Sequence, residues 1–108
     1  MKREELLAIA EKAINGDRAR DYGDAYENFS RIAAGWGVIL GSAAGNVSGL
    51  RPESVALMMC WLKMCGLMNG ITHQDSWVDL IGYAALGGEL AERSLKEDEA
   101  EALLEESE

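Results

Sequence analysis

The sequence predicts an all-α fold, a compact four-helix bundle, and three observations lead there. Proline occurs once in 108 residues, and apolar residues make up 48% of the chain, enough to build one interior. The composition leans on Ala, Leu, Met and Glu, and the β-branched and aromatic types that favour strands are scarce. Apolar residues recur at helical spacing over four long stretches. A sandwich, a barrel and a disordered chain are excluded on the same grounds.

The first helix is expected over residues 3–14, with Leu6, Leu7, Ala10, Ala13 and Ile14 on one face and Asn15-Gly16 as its stop. Residues 16–23 carry charges and two glycines and read as an exposed, irregular loop. Asp24, with Glu27 three residues on, is a capping-box pattern that opens the second helix, residues 25–40. Phe29, Ile32, Ala33, Trp36 and Leu40 form its apolar face. Residues 41–51 read as a flexible connector or a lid.

Pro52 suits the first turn of a third helix that Asn69-Gly70 ends. Lys63 apart, this helix is apolar all round from Val55 to Met68, which predicts a central helix buried on nearly every side. The run is too short to span a bilayer. Cys60 and Cys65 within it read as reduced core thiols. Thr72 and Asp75 predict a capping box for the fourth helix. That helix carries one apolar stripe of Trp77, Leu80, Ile81, Ala84, Gly88, Ala91 and Leu95. An opposite stripe has Leu86 and Leu90 in line with Asp75, Asp79 and Gly82. Two-sided packing predicts a layered bundle or a homo-oligomer. Residues 1–95 form a single domain, and 96–108 an acidic helix end or tail.

The net charge is −9. Residues 89–108 alone hold nine acidic and two basic side chains, so the body is nearly neutral. Such a chain has nothing to offset phosphate repulsion along a duplex, which excludes direct DNA or RNA duplex binding. The N-terminus is amphipathic and unlike a signal peptide, so a cytoplasmic protein with no membrane partner is expected.

Lys63 is the only charge between Ser54 and Asn69. A buried ammonium needs a partner, and Asp75 and Asp79 on the next helix are the candidates. The pair either fixes helix register or lines a polar pocket for a phosphate, with a hydrated magnesium ion beside it. Asp79 sits mid-helix between Val78 and Leu80, where a free carboxylate is poorly tolerated. Glu27 either caps its helix or pairs with Arg31. His73 is the only histidine, at a helix start beside Gln74 and Asp75. Arg18, Arg20 and Tyr22 are suited to clamping a phosphate and stacking on a base, or form a solvated turn. No nucleophilic triad, Walker A loop or Rossmann glycine pattern is present.

Three separated motifs carry a resemblance across about residues 17–90. They are Arg18-Ala19-Arg20-Asp21-Tyr22-Gly23-Asp24-Ala25-Tyr26-Glu27-Asn28-Phe29-Ser30-Arg31-Ile32-Ala33 with Trp36, then Val55 to Lys63, then His73-Gln74-Asp75-Ser76-Trp77-Val78-Asp79-Leu80-Ile81-Gly82-Tyr83. Together they resemble a family of small phage and prophage proteins of unknown function. That family is distantly similar to MazG-type all-α nucleotide pyrophosphohydrolases and to phage nucleotide-modification-associated domains. The resemblance implies an oligomeric MazG-like bundle, with Glu27, Asp75 and Asp79 as magnesium ligands and Asp79 and Glu27 as catalytic carboxylates. Arg18, Arg20, Tyr22, Lys63 and His73 would meet the phosphate and base. The chain departs from the hydrolases at Ser30, where a second glutamate is usual, and in the i, i+4 spacing of its aspartates. These losses weigh on catalysis more than on binding. The expected function is a phage-type nucleotide-binding protein, with magnesium-dependent pyrophosphohydrolysis of nucleoside triphosphates as its enzymatic form. The alternative is a non-catalytic interaction protein, such as a host-takeover factor or a nucleotide-signal sponge.

Overall fold

Helices account for nearly the whole chain in a computed structural model, which describes residues 1–44 and 49–107, with backbone only for 42–44. The elements are α1 (Arg3–Lys12), a π-helical turn (Ala13–Asp17), α2 (Arg18–Tyr22), α3 (Ala25–Ala44), α4 (Pro52–Asn69) and α5 (Gln74–Ser107). The connector-or-lid reading of residues 41–51 is corrected at its start, because 41–44 continue α3 past its expected end at residue 40, while 45–48 lie outside the described residues. No helix is long and apolar enough to cross a membrane, among the described residues.

The first difference from expectation lies at residues 16–23, which continue α1 as a helical arm instead of forming a loop. Asn15-Gly16 does not stop the helix, because the chain widens there into the π turn and carries on. Gly23 is the true terminator. It adopts φ +77, a conformation that favours glycine, and its N–H still donates to the Ala19 carbonyl at 3.0 Å. Asp24 then caps α3 as expected, its Oδ2 accepting the Glu27 N–H at 3.0 Å.

The core cluster is Phe29 and Ala33 from α3, Val55 and Ala56 from α4, and Leu86 and Leu90 from α5. On α5 the buried positions are Val78, Gly82, Leu86, Leu90 and Ser94, a strict i, i+4 ridge. This is the stripe that includes Leu86 and Leu90. Trp77, Ala84, Gly88, Ala91 and Leu95 of the other stripe are exposed. Small residues decide the choice, because α4 and α5 approach closely. A Cβ on Gly87 would lie 3.1 Å from the Cβ of Ala56, which is fully buried.

Polar contacts pin both ends of this helix pair. At one end the Trp77 indole N–H donates to the Ile71 carbonyl at 2.8 Å, closing the α4–α5 turn. At the other, the Ser94 hydroxyl donates to Glu53 at 2.7 Å, and Arg51 bridges Glu53 (2.9 Å) and Asp98 (3.0 Å). Thr72 does not cap α5. His73 does, its Nδ1 accepting the Ser76 N–H at 3.3 Å, so the Thr72–Asp75 capping box is not formed.

Burial of α4 on nearly every side is also overturned. Only Val55, Ala56, Cys60 and Leu67 are buried, while Leu57, Trp61, Leu62 and Met68 are all more than half exposed. Two neighbours, α3 and α5, cover one side, and no element lies over the other among the described residues. Cys60 is a core thiol as expected, its pKa raised by burial, but Cys65 is exposed. Leu40, expected on the apolar face of its helix, is exposed as well.

Beyond Leu95 the last turns of α5 run on helically to Ser107 with exposed side chains, half of them acidic. The molecule is therefore elongated, 55 × 31 × 21 Å. Its radius of gyration is 16.2 Å, where a compact chain of this length would have about 13 Å.

The close α4–α5 approach has a measurable consequence. Gly87→Leu should lower unfolding free energy by ~1–3 kcal/mol, because the added atoms must displace Ala56. Gly88 has nothing within 4 Å of an added Cβ. Gly88→Ala should instead stabilise by ~0.5–1 kcal/mol through helix propensity. Denaturant melts of both variants check the contrast; a Gly87→Leu protein as stable as wild type would contradict the tight packing.

Candidate functional site

A cavity of about 290 Å³ opens where the N-terminal arm crosses α3 and α5. Ala10, Ala13, Ile14, Arg18 and Tyr22 line it from the arm. Asn28, Phe29, Ile32 and Trp36 come from α3, Val55 and Met59 from α4, and Val78, Asp79, Gly82, Tyr83 and Leu86 from α5. The π turn matters here. A regular helix would carry Arg18 and Tyr22 progressively away from the Ala10–Ala13–Ile14 face, and the wider turn takes back much of that drift.

Arg18 is the distinctive group. Its Nη1 donates to the Gly23 carbonyl at 3.3 Å, and its guanidinium carbon stands 5.0 Å from the centre of the Phe29 ring. Its Nη2 is buried and has no hydrogen-bond partner among the described residues. A buried guanidinium N–H without a partner is costly, and an anion would satisfy it.

Asp79 and Lys63 form the expected ion pair at 2.9 Å, joining α4 to α5. The pair is not buried, however, since the two side chains are 28% and 43% exposed. Lys63 escapes burial because its flank of α4 is only partly covered. Tyr83, one helical turn after Asp79, lies at the centre of these charges. Burial raises its hydroxyl pKa most; Lys63 and Arg18 lower it, while Asp79 and Tyr22 raise it.

Arg18, Tyr22 and Asp79 thus line one cavity, with Lys63 held at its edge through Asp79. The other expected residues stand elsewhere. Arg20 points outward and pairs with Asp21 (3.2 Å) and Asp17 (3.7 Å). Its place on a helix, where loop geometry was expected, turns it away from Arg18. His73 serves as the α5 cap; Glu27 and Asp75 are exposed and do not line the cavity. Among the described residues no three of His, Cys, Asp and Glu gather as a metal-holding group. The set Glu27, Asp75 and Asp79 therefore does not fit a magnesium ion held by the protein alone.

Tyr83, Asn28 and Trp36 were not singled out as site residues by sequence. Each carried a signal, since Tyr83 follows Asp79 by four residues, and Asn28, Ile32 and Trp36 recur at i, i+4 on α3.

A family model described as a domain of unknown function, DUF6378, matches residues 5–91, which span the arm, the cavity and most of α5. The chain belongs to the DUF6378 family. It is 46% identical over 94 residues to the Gene 55 protein of Mycobacterium phage L5, covering 87% of this chain and 55% of that protein. It is 32% identical over 81 residues to the Gene 55 protein of Mycobacterium phage D29, covering 75% of this chain and 50% of that one. The chain thus spans about half the length of the curated relatives it matches. The expected kinship with phage proteins of unknown function is borne out at this level. No solved structure matches the chain.

Two outcomes follow from the site geometry. Lys63→Ala should cost no more than ~1 kcal/mol in a denaturant melt, as for partly exposed ion pairs, and not the ~3–5 kcal/mol of a buried pair. Tyr83 concerns alkaline pH. Its raised pKa means that the folded state holds the phenolic proton more tightly than the unfolded chain does. That stabilisation is present below the ordinary tyrosine value of about 10 and is lost as pH rises through the folded value. Tyr83→Phe should accordingly lose less stability than wild type between neutral and strongly alkaline pH. Equal losses in unfolding free energy would contradict the assignment.

Proposed function

We propose that this protein binds a nucleotide or a similar small phosphorylated, planar ligand in the cavity between the N-terminal arm and helices α3 and α5. The observation that carries the reading is the buried, unpartnered Nη2 of Arg18 in a largely apolar cavity bearing Phe29, Trp36 and Tyr83. Arg18 would take the phosphate, and the aromatic side chains would take the base. Asn28 supplies the amide that can read a base edge. The resemblance of its motifs to those of MazG-type nucleotide hydrolases, an expectation from sequence alone, would imply the same ligand class.

Turnover is not part of the proposal. Pyrophosphohydrolysis assisted by metal ions requires several carboxylates around the phosphate chain, and among the described residues Asp79 is the one acidic residue that lines this cavity, already paired with Lys63. Binding without a resident magnesium ion is the simpler use of these groups.

Thermal-shift and calorimetric titration with nucleoside mono-, di- and triphosphates, with and without magnesium, tests the reading. At least one nucleotide should stabilise the wild type without magnesium. Arg18→Gln should weaken that binding by ~10–100-fold, the worth of a charged hydrogen bond. Arg20→Ala should leave it unchanged, because Arg20 lies outside the cavity. No response to any nucleotide, or an Arg18→Gln protein that responds like wild type, would overturn the proposal. Magnesium-dependent pyrophosphate release that vanishes in Asp79→Asn would establish a hydrolase instead.

A further inference from the structure

The uncovered side of α4 bears Leu57, Trp61, Met64 and Met68 at successive spacings of four, three and four, the register of a helix-pairing seam. Met58, Leu62 and Cys65 widen it, and all seven side chains are exposed. We propose that a second copy of this chain docks on this face, α4 against α4 in antiparallel orientation, to form a two-fold symmetric dimer.

Area is the first support. The chain exposes 7559 Å², whereas a folded monomer of this mass exposes about 5,900 Å². The excess is roughly twice the ~800 Å² per partner that a standard interface buries, so the overhanging end of α5 can account for part of it and leave enough.

Charge selects the occupant. The charged residues of α4 are engaged within the chain: Glu53 by Arg51 and Ser94, Lys63 by Asp79. No charge interrupts the seam. A chain with a net charge of −9 meets its own copy at least electrostatic cost through a neutral surface away from its acidic end, and this face is one. A basic partner would instead be drawn to the acidic end of α5.

Charge also selects the orientation. Ser94 and Asp98 meet residues at the start of α4, so the acidic end of α5 overhangs that end of α4. Parallel pairing would bring the two overhangs side by side. Antiparallel pairing sends them to opposite ends of the dimer and sets Trp61 against Met64 across the two-fold axis, with Leu57 against Met68.

Sedimentation equilibrium of the full chain across the micromolar range tests the proposal. Wild type should have twice the 11.7 kDa chain mass. Trp61→Glu should sediment as a single chain with its helical circular dichroism retained, and Leu103→Glu, on the overhang, should stay dimeric. In a Cys65→Ala background, the double variant Leu57→Cys, Met68→Cys should form intersubunit disulfides on mild oxidation, whereas Leu57→Cys alone should not. A monomeric wild type, or a Trp61→Glu protein that remains dimeric, overturns the interface. Cross-linking by Leu57→Cys alone overturns the antiparallel arrangement. The cross-linking arm uses substitutions that keep the face apolar, so it stands even if Trp61→Glu fails to fold.

Discussion

The close seating of α4 on α5 is the constraint on which the rest of the molecule depends. Ala56 and Gly87 let the two backbones approach, and a Cβ on Gly87 would already crowd Ala56. Contacts at the two ends then fix the register: Trp77 to Ile71 at the turn, Ser94 to Glu53 and Arg51 at the far end. With α5 held against sliding or rotation, Val78, Gly82, Leu86 and Leu90 face the core in one ridge. Asp79 and Tyr83 must then stand at the edge of that ridge, beside the N-terminal arm.

The arm meets α5 through a second close approach. A Cβ on Gly82 would lie 3.0 Å from a methyl carbon of Ile14. Ala10 and Ala13 keep the rest of the arm slim, and the cavity is the space these small residues leave between Phe29, Trp36 and Tyr83. Two glycines on α5 therefore do different work. Gly87 permits the α4 contact, and Gly82 permits the arm to sit close without filling the cavity. Gly23 then ends the arm in a conformation that turns its own carbonyl toward Arg18.

Much of this was legible in the sequence. The helical class, the Asp24 cap, the entry at Pro52 and the Lys63–Asp79 pairing follow from local chemistry, and local chemistry is what periodicity and capping rules read. The helical arm was not legible, because Asn15-Gly16 is a genuine stop signal that a π turn can override without changing composition. The burial of α4 misled for a different reason. A helix that is apolar on all sides is buried on all sides only where elements of the chain cover every face, and here α3 and α5 cover one. His73 shows a similar limit, since capping preferences favour Thr72 and ring nitrogens serve rarely. Arg18 and Arg20 look equivalent in sequence; only their different places around the arm separate an inward guanidinium from an outward one.

The pairing of the local carboxylates explains why Arg18 keeps a buried amino group without a partner among the described residues. Asp17 and Asp21 flank it in sequence, yet both are engaged by Arg20. Asp79 reaches the same cavity, yet Lys63 engages it from the neighbouring helix. These three acids are thus engaged by two other cations, and the Arg18 Nη2 amino group has no partner among the described residues. On the proposed reading, Lys63 would assist binding without touching the ligand, because it holds a carboxylate that lines the same cavity as Arg18 and would otherwise repel an incoming anion. The pair is worth little to stability because it is partly exposed, so on that reading its worth would lie in keeping Asp79 occupied. A partly exposed ion pair would then matter to the proposed recognition while contributing little to the fold.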